Sequence, residues 1–278
     1  MALSADTIGY DYASGTSFEQ RALDAVSLSV ETGELVLVVG STGSGKSTLL
    51  RLLSGLMAAE SGQLTLDGAP LTSRNARGTV GLVFQDAESQ LFAETVLEDV
   101  SFGPRNLGAT VETAKDMALA AIEAVGLDAA AYAERSPFGL SGGEARRVAI
   151  AGVLAMQPRF LLLDEPTAGL DARGRAAVRA AVAVARETAG IVVVSHTVEE
   201  FLGIADRVLI LSSGSVASSG TVPALLADPM LLDRAGLRAP DVLRVQQLAK
   251  TRGLDTGPLT LDPAAAAEGL AHARGRRA

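Results

Sequence analysis

Short, continuous apolar runs alternate with glycine-rich and polar stretches along most of this chain. Leu35–Val39, Val80–Phe84, Phe160–Leu163, Ile191–Val194 and Val208–Leu211 are built almost wholly from Val, Leu and Ile. Runs of that length predict strands buried on both faces, as in a parallel sheet covered by helices. After the first of them, Leu49, Leu50, Leu52, Leu53 and Leu56 recur at helical spacing and predict a helix. Residues 1–33 alternate only partly, through Leu23, Val26, Leu28 and Val30, and predict short antiparallel strands around a polar loop, Ala13 to Gln20. Further short strands are expected near Gln63–Leu66 and Ser215–Ser218, with a polar turn at Ser73–Gly78. Residues 86–155 are alanine-rich and helical, with breaks expected at Gly103-Pro104, Gly108, Gly126 and Pro137. They predict a helical subdomain inserted into the sheet domain. A helix near Val222–Ala227 closes that domain. Residues 229–278 read as helical and polar, ending in a frayed basic tail.

Between the first buried run and its helix stands Gly40-Ser41-Thr42-Gly43-Ser44-Gly45-Lys46-Ser47-Thr48, which meets G-x-x-x-x-G-K-[ST] at every fixed position. Glycines let successive N–H groups turn inward as a nest for phosphate oxygens, and the helix adds its positive end. Lys46 suits the β and γ phosphates, and the Ser47 hydroxyl suits Mg²⁺. A dinucleotide-binding G-x-G-x-x-G from Gly43 fails, because position 48 is Thr48. The stretch predicts binding of a nucleoside triphosphate.

Other polar groups fall at the carboxyl ends of predicted buried strands, where α/β sheets place ligand-facing groups. Gln85 ends one, Asp164-Glu165 another, and Ser195-His196 a third. Neighbouring strand residues face opposite sides, so Asp164 and Glu165 are expected to divide labour: Asp164 supporting Mg²⁺, Glu165 polarising the attacking water. His196 is placed to sense a γ-phosphate. Leu140-Ser141-Gly142-Gly143-Glu144 precedes a helix through Met156, and on its own reads equally as a helix cap or an anion site. Tyr10 or Tyr12 can stack on a base, although the residue pattern favours ordinary strand aromatics. Arg173, Arg175, Arg179 and Arg186 read as the solvated face of a helix.

Composition narrows the classes. The 278 residues, 48% hydrophobic and 20% charged, suffice for one large domain with an appendage. The longest apolar run, Val148 to Met156, falls well short of the roughly eighteen residues a membrane helix needs. The first ten residues lack the basic and apolar regions of a leader. Without cysteine, disulfides and thiolate metal sites are excluded. A net charge of −8 argues against nucleic acid as partner.

Taken in order, the phosphate loop, Gln85, LSGGE, LLLDEPTAGLD and Ser195-His196 closely resemble ABC transporter ATPases, over nearly the whole chain. The resemblance implies an α/β P-loop NTPase with a RecA-like core, an antiparallel β subdomain, an inserted α-helical subdomain at about 86–155 and a short helical C-terminal extension. An ATPase domain would span 1–220 and a dimerising extension 221–278. Gly40 to Thr48 resembles Walker A, and Gln85 the Q-loop glutamine that meets Mg²⁺ and water. Ser141, Gly142, Gly143 and Glu144 resemble the signature motif. Asp164 and Glu165 resemble the Walker B aspartate and catalytic glutamate, Gly169 to Asp171 the D-loop, and His196 the switch histidine. Tyr12 matches the aromatic that stacks on adenine. The family closes as a dimer around two ATP, each held between one Walker A and the partner's signature.

Val83 to Phe92, Thr95 to Pro104, Arg147 to Met156 and Ala235 to Leu237 are similar to energy-coupling factor (ECF) importer ATPases. That match implies a second ABC ATPase as partner, docking on a membrane T subunit through a groove after Gln85, and an S subunit that binds a vitamin, cobalt or nickel. It places the chain peripherally on the cytoplasmic face of the membrane. Glu144 stands where glutamine is frequent, and Gly139 and Ala87 where bulkier residues or proline are common. Alternatives are the ATPase of a conventional importer, a soluble ABC protein, and a binding module without turnover. The segment after Gln85, the acidic charge, and the intact Glu165 and His196 argue against them in turn.

Overall fold

A computed structural model describes residues 1–228, 232 and 237–275. The five buried runs and one further edge strand form a six-stranded sheet in the order β10-β9-β3-β8-β7-β6. Its strands are β3 (Leu35–Gly40), β6 (Val80–Val83), β7 (Phe160–Asp164), β8 (Gly190–Ser195), β9 (Arg207–Ser212) and β10 (Ser215–Thr221). All pair parallel except β10 with β9. The unbroken apolar runs have a simple cause: successive side chains enter different cores. Leu35, Leu37, Leu161, Leu163, Ile191 and Val193 belong to one, and Val36, Val38, Phe160, Leu162, Val192 and Val194 to the other.

The second core is closed by an antiparallel sheet in the order β2-β1-β4-β5 and by helix α1 (Lys46–Leu53), which touches strands of both sheets. Strands β1 (Ala2–Tyr12) and β2 (Gln20–Glu31) are long rather than short, and kinked by register shifts. β4 (Ser61–Leu66) and β5 (Ala69–Pro70) complete this sheet. Helix α1 stops at Leu53 because Gly55 turns left-handed (φ 72°), which leaves Leu56 outside the helix and 62% exposed. Ser73–Ala76, expected as a turn, is a short helix, α2, capped by Thr72 and Asn75.

Between β6 and β7 lie α3 (Val96–Asn106), α4 (Val111–Ala124), α5 (Ala129–Tyr132) and α6 (Gly142–Ala155), with α3, α4 and α6 packed on one another. Gly103-Pro104 does not break α3. Pro104 falls in the final turn, so the helix ends at Asn106, just ahead of left-handed Gly108 (φ 97°). Helices α7 (Ala172–Ala185) and α8 (Val198–Leu202) follow β7 and β8, and α9 (Val222–Ala227) packs on β9 and β10. Arg186, expected in solvent, is a staple instead. It donates to Gly33 O and Ile204 O and pairs with Asp206 at 2.6 Å.

Two C-terminal helices, Asp241–Thr251 and Pro263–Gly275, pack together. Gln246 is 1% exposed, donates to Val242 O and Thr260 O, and accepts from Thr260 N–H. Ala235 and Gly236, and the end of the basic tail at 276–278, lie outside the described residues.

Candidate nucleotide site

The site forms where the carboxyl ends of β3, β6, β7 and β8 meet. A cavity of about 330 Å³ is lined by Tyr12, Thr42, Gly43, Gly45, Lys46, Ser47, Thr48, Gln85, Asp164, Glu165 and His196, together with Gln20 to Ala22. Gly40, Ser41 and Ser44 belong to the same loop without lining it.

The loop needs its glycines for space and for backbone angle. Gly43 and Gly45 have φ of 79° and 100°. A Cβ on Gly45 would lie 2.5 Å from Ala22 O of β2, and one on Gly40 would strike Leu211 O of β9. The loop is thereby seated against both sheets. Gly45 is also the N-cap of α1 and offers no side-chain acceptor, so the first N–H groups of α1 carry no side-chain cap. Uncapped N–H groups and a helix dipole make an anion-binding end. Lys46 Nζ donates to Gly40 O at 2.8 Å and Ser41 O at 2.9 Å, folding the side chain back along the loop. Burial lowers its pKa below that of an ordinary lysine, while Glu165 and Asp164 act in the opposite sense. Tyr12 reaches Thr48 Oγ1 through its hydroxyl at 3.1 Å, and Tyr10 packs edge-on against its ring at 5.1 Å.

Asp164 and Glu165 do not separate to opposite faces. Strand β7 ends at Asp164, and Glu165 is left-handed (φ 50°), so the alternation of a regular strand no longer applies. Both carboxylates are 7% exposed and line the same cavity. Burial pushes the Glu165 carboxyl up to about 7, Lys46 opposes that rise and Asp164 adds to it. His196 Nε2 lies 3.2 Å from Glu165 Oε1. Burial, and then Lys46, lower the histidine's pKa, which favours the neutral imidazole at pH 7.

Ser141 to Glu144 and Asp171 do not line this cavity. Ser141 caps α6 in a reciprocal box with Glu144, whose carboxylate accepts from Ser141 N–H at 2.8 Å and from the Tyr132 hydroxyl. The Tyr132 bond, then Ser141, hold Glu144 at about 2. Asp171 caps α7 by accepting from Gly174 N–H at 2.7 Å. Sequence reasoning passed over two groups beside these loops. Arg146 of α6 donates to the carbonyls of Gln85 and Ala168. Glu200 of α8 accepts from the Thr167 hydroxyl and stands 3.7 Å from Arg175. A charged pair, Arg146-Arg147, just ahead of the apolar run of α6 is the one signal the sequence offers for Arg146.

Fold and site together define a P-loop nucleoside-triphosphatase. The ABC transporter family model matches residues 23–168. The chain is 44% identical over 275 residues to the energy-coupling factor transporter ATP-binding protein EcfA2 of Symbiobacterium thermophilum, covering 96% of this chain and 95% of that one. Among solved structures it is similar to cbiO1 of Clostridium perfringens, part of the ABC transporter complex cbiONQ (TM-score 0.72, 29% identity, 88% of this chain and 98% of that one). It is equally similar to the dimeric ATP-binding cassette MJ0796 in a post-hydrolysis state with ADP and Pi (TM-score 0.72, 27% identity, 79% and 98%). The chain belongs to the ABC transporter family, among its energy-coupling factor transporter ATP-binding proteins. It is an ATP-binding ATPase.

Proposed function

We propose that this chain powers an ECF-type importer by closing with a second ABC ATPase, a copy or a relative, around two ATP molecules. Residues 1–220 would be the ATPase domain, with 86–155 as its helical insertion and 221–278 as the extension. Gly40 to Thr48 would cradle the phosphates, Lys46 neutralise the β and γ groups, and Tyr12 stack on adenine. Gln85 would position the attacking water, and Glu165 take its proton. His196 would meet the γ-phosphate. Ser141, Gly142, Gly143 and Glu144 lie outside the Lys46 cavity of their own chain, which supports their use on the partner's nucleotide, with Asp171 at the same seam.

The donor set also fits Mg²⁺. Among the described residues no cluster of three acidic or histidine side chains could cage a metal alone. One buried carboxylate, Asp164, sharing a cavity with Ser47 and Gln85, suits an ion that keeps phosphate and water ligands. When bound, Mg²⁺ would neutralise charge on the transferring phosphoryl group.

No helix among the described residues is long and apolar enough to cross a membrane. Peripheral attachment at the cytoplasmic face, through a T subunit and so to an S subunit carrying a vitamin or a transition-metal ion, is the reading we favour. A second cavity of about 330 Å³ supports it, lined by Phe92, Phe102, Leu107 and Met156. Its two phenylalanines meet edge-on at 4.8 Å while 57% and 48% exposed. Val245 and Leu248, each 52% exposed on one helix of the extension, support a dimerising role there.

The observation that carries the reading is a glutamate with a carboxyl near neutral basicity in the same cavity as Lys46. Steady-state phosphate release tests it. Wild type should turn over and Glu165→Gln should not; equal inertness of the two under conditions where ATP binds would remove the catalytic assignment.

A further inference from the structure

Arg146 lies one turn inside α6 and is 8% exposed. Its Nη1 donates to Ala168 O at 2.8 Å and its Nη2 to Gln85 O. Among the described residues its guanidinium bonds go to backbone carbonyls and not to a carboxylate, and its Nε N–H is buried without an acceptor. Burying a cation among backbone carbonyls alone is costly, and an apolar side chain would serve packing better. Nor does α6 need the charge to stay in place, because Ala145, Val148, Ile150 and Ala151 already bury its inner face.

The two carbonyls identify what the charge is for. Gln85 follows β6 and Ala168 follows β7, so they belong to two different loops at the carboxyl edge of the sheet. The second of these loops starts at Glu165 and ends at Asp171. The guanidinium itself belongs to the helix capped by Ser141. A planar fork with donors on two nitrogens fixes three segments at once, which a point-charge ammonium does not.

We infer that Arg146 is a positioning residue for ATP hydrolysis: it sets the Gln85 loop and the Glu165–Asp171 loop in register with the signature helix. The inference rests on the site reading proposed above. Rate depends steeply on such register, since displacement of a catalytic group by about 1 Å costs on the order of a hundredfold. ATP binding by Lys46 and the phosphate loop, which Arg146 does not touch, should be spared.

The test uses the full chain with Arg146→Met, which keeps bulk but removes both bonds, and Arg146→Lys, which keeps charge but loses the fork. Binding of a fluorescent ATP analogue, steady-state phosphate release and thermal unfolding are measured on each. Expected are dissociation constants within about threefold of wild type, with kcat reduced roughly tenfold or more in Arg146→Met and less in Arg146→Lys. A folded Arg146→Met with wild-type kcat would overturn the inference. So would equal losses of binding and kcat beside a lowered Tm, the mark of a purely structural residue. If Arg146→Met does not fold, Arg146→Lys decides: reduced kcat at unchanged ATP affinity sustains the inference, and unchanged kcat ends it. A wild type that neither binds nor hydrolyses ATP would take down the site reading, and this inference with it.

Discussion

His196 Nε2 and Glu165 Oε1 stand 3.2 Å apart, yet that carboxylate oxygen accepts no hydrogen bond. The pair is in reach without being engaged: burial raises the glutamate's pKa and lowers the histidine's. A neutral imidazole therefore stands beside a carboxyl oxygen that still has its hydrogen-bonding capacity to offer.

Glu165→Gln is therefore expected to lower kcat by about 10²-fold or more while ATP still binds, because the amide cannot accept the water's proton. The variant should accumulate as an ATP-bound dimer in size-exclusion chromatography. A variant that binds ATP yet elutes as a monomer, with and without its partner ATPase, would contradict the sandwich.

The same carboxyl gives a pH signature to stability. Its pKa is 4.5 ordinarily and about 7 when folded. Between those values the folded state keeps a proton that the unfolded state has lost, so stability falls as pH rises through the window and levels off above it. Screening at the open pocket mouth leaves a drop of about 1 to 2 kcal/mol. Urea titrations of the protein without nucleotide, at pH 5 and pH 8, should show Glu165→Gln gaining on wild type at the higher pH.

Lys46→Ala should weaken ATP binding by at least about thirtyfold, the loss of roughly 2 kcal/mol of charge-assisted bonding. The fold should survive, since the lysine's own bonds are to Gly40 O and Ser41 O within the loop. Circular dichroism and a fluorescent ATP titration separate the two effects.

Gly45→Ala should be harsher. The new methyl would meet Ala22 O at 2.5 Å, at a φ of 100° that alanine resists. Both Tm and nucleotide affinity are expected to fall, whereas Gly142→Ala, with open space at its Cβ position, should keep its Tm.

Much of this was legible in the sequence because strand ends coincide with chemistry. Buried runs that stop at Gly40, Asp164 and Ser195 announce both the sheet and its reactive edge. The rest escaped for specific reasons. Local alternation cannot reveal that Glu165 turns left-handed and joins Asp164 in one cavity. Arg146 reads as one more charge on a helix until β6 and β7 bring Gln85 O and Ala168 O beside it. Arg186 resembles a solvated residue until Asp206, twenty positions on, returns to it. The two arginines depend on contacts between segments distant in sequence, and Glu165 on a single backbone angle, none of which helix and strand periods encode.

The seat of Gly45 on Ala22 O also dictates where the chain tolerates a change of length. A residue inserted within β2 would shift its register, carry another carbonyl under the phosphate loop and turn buried Leu23 and Val26 outward. The exposed stretch from Ala13 to Glu19, just before that strand, bears no such constraint. It is the place to build in a fluorophore site or an epitope, directly after Tyr12 at the edge of the nucleotide cavity and outside the register that holds the loop.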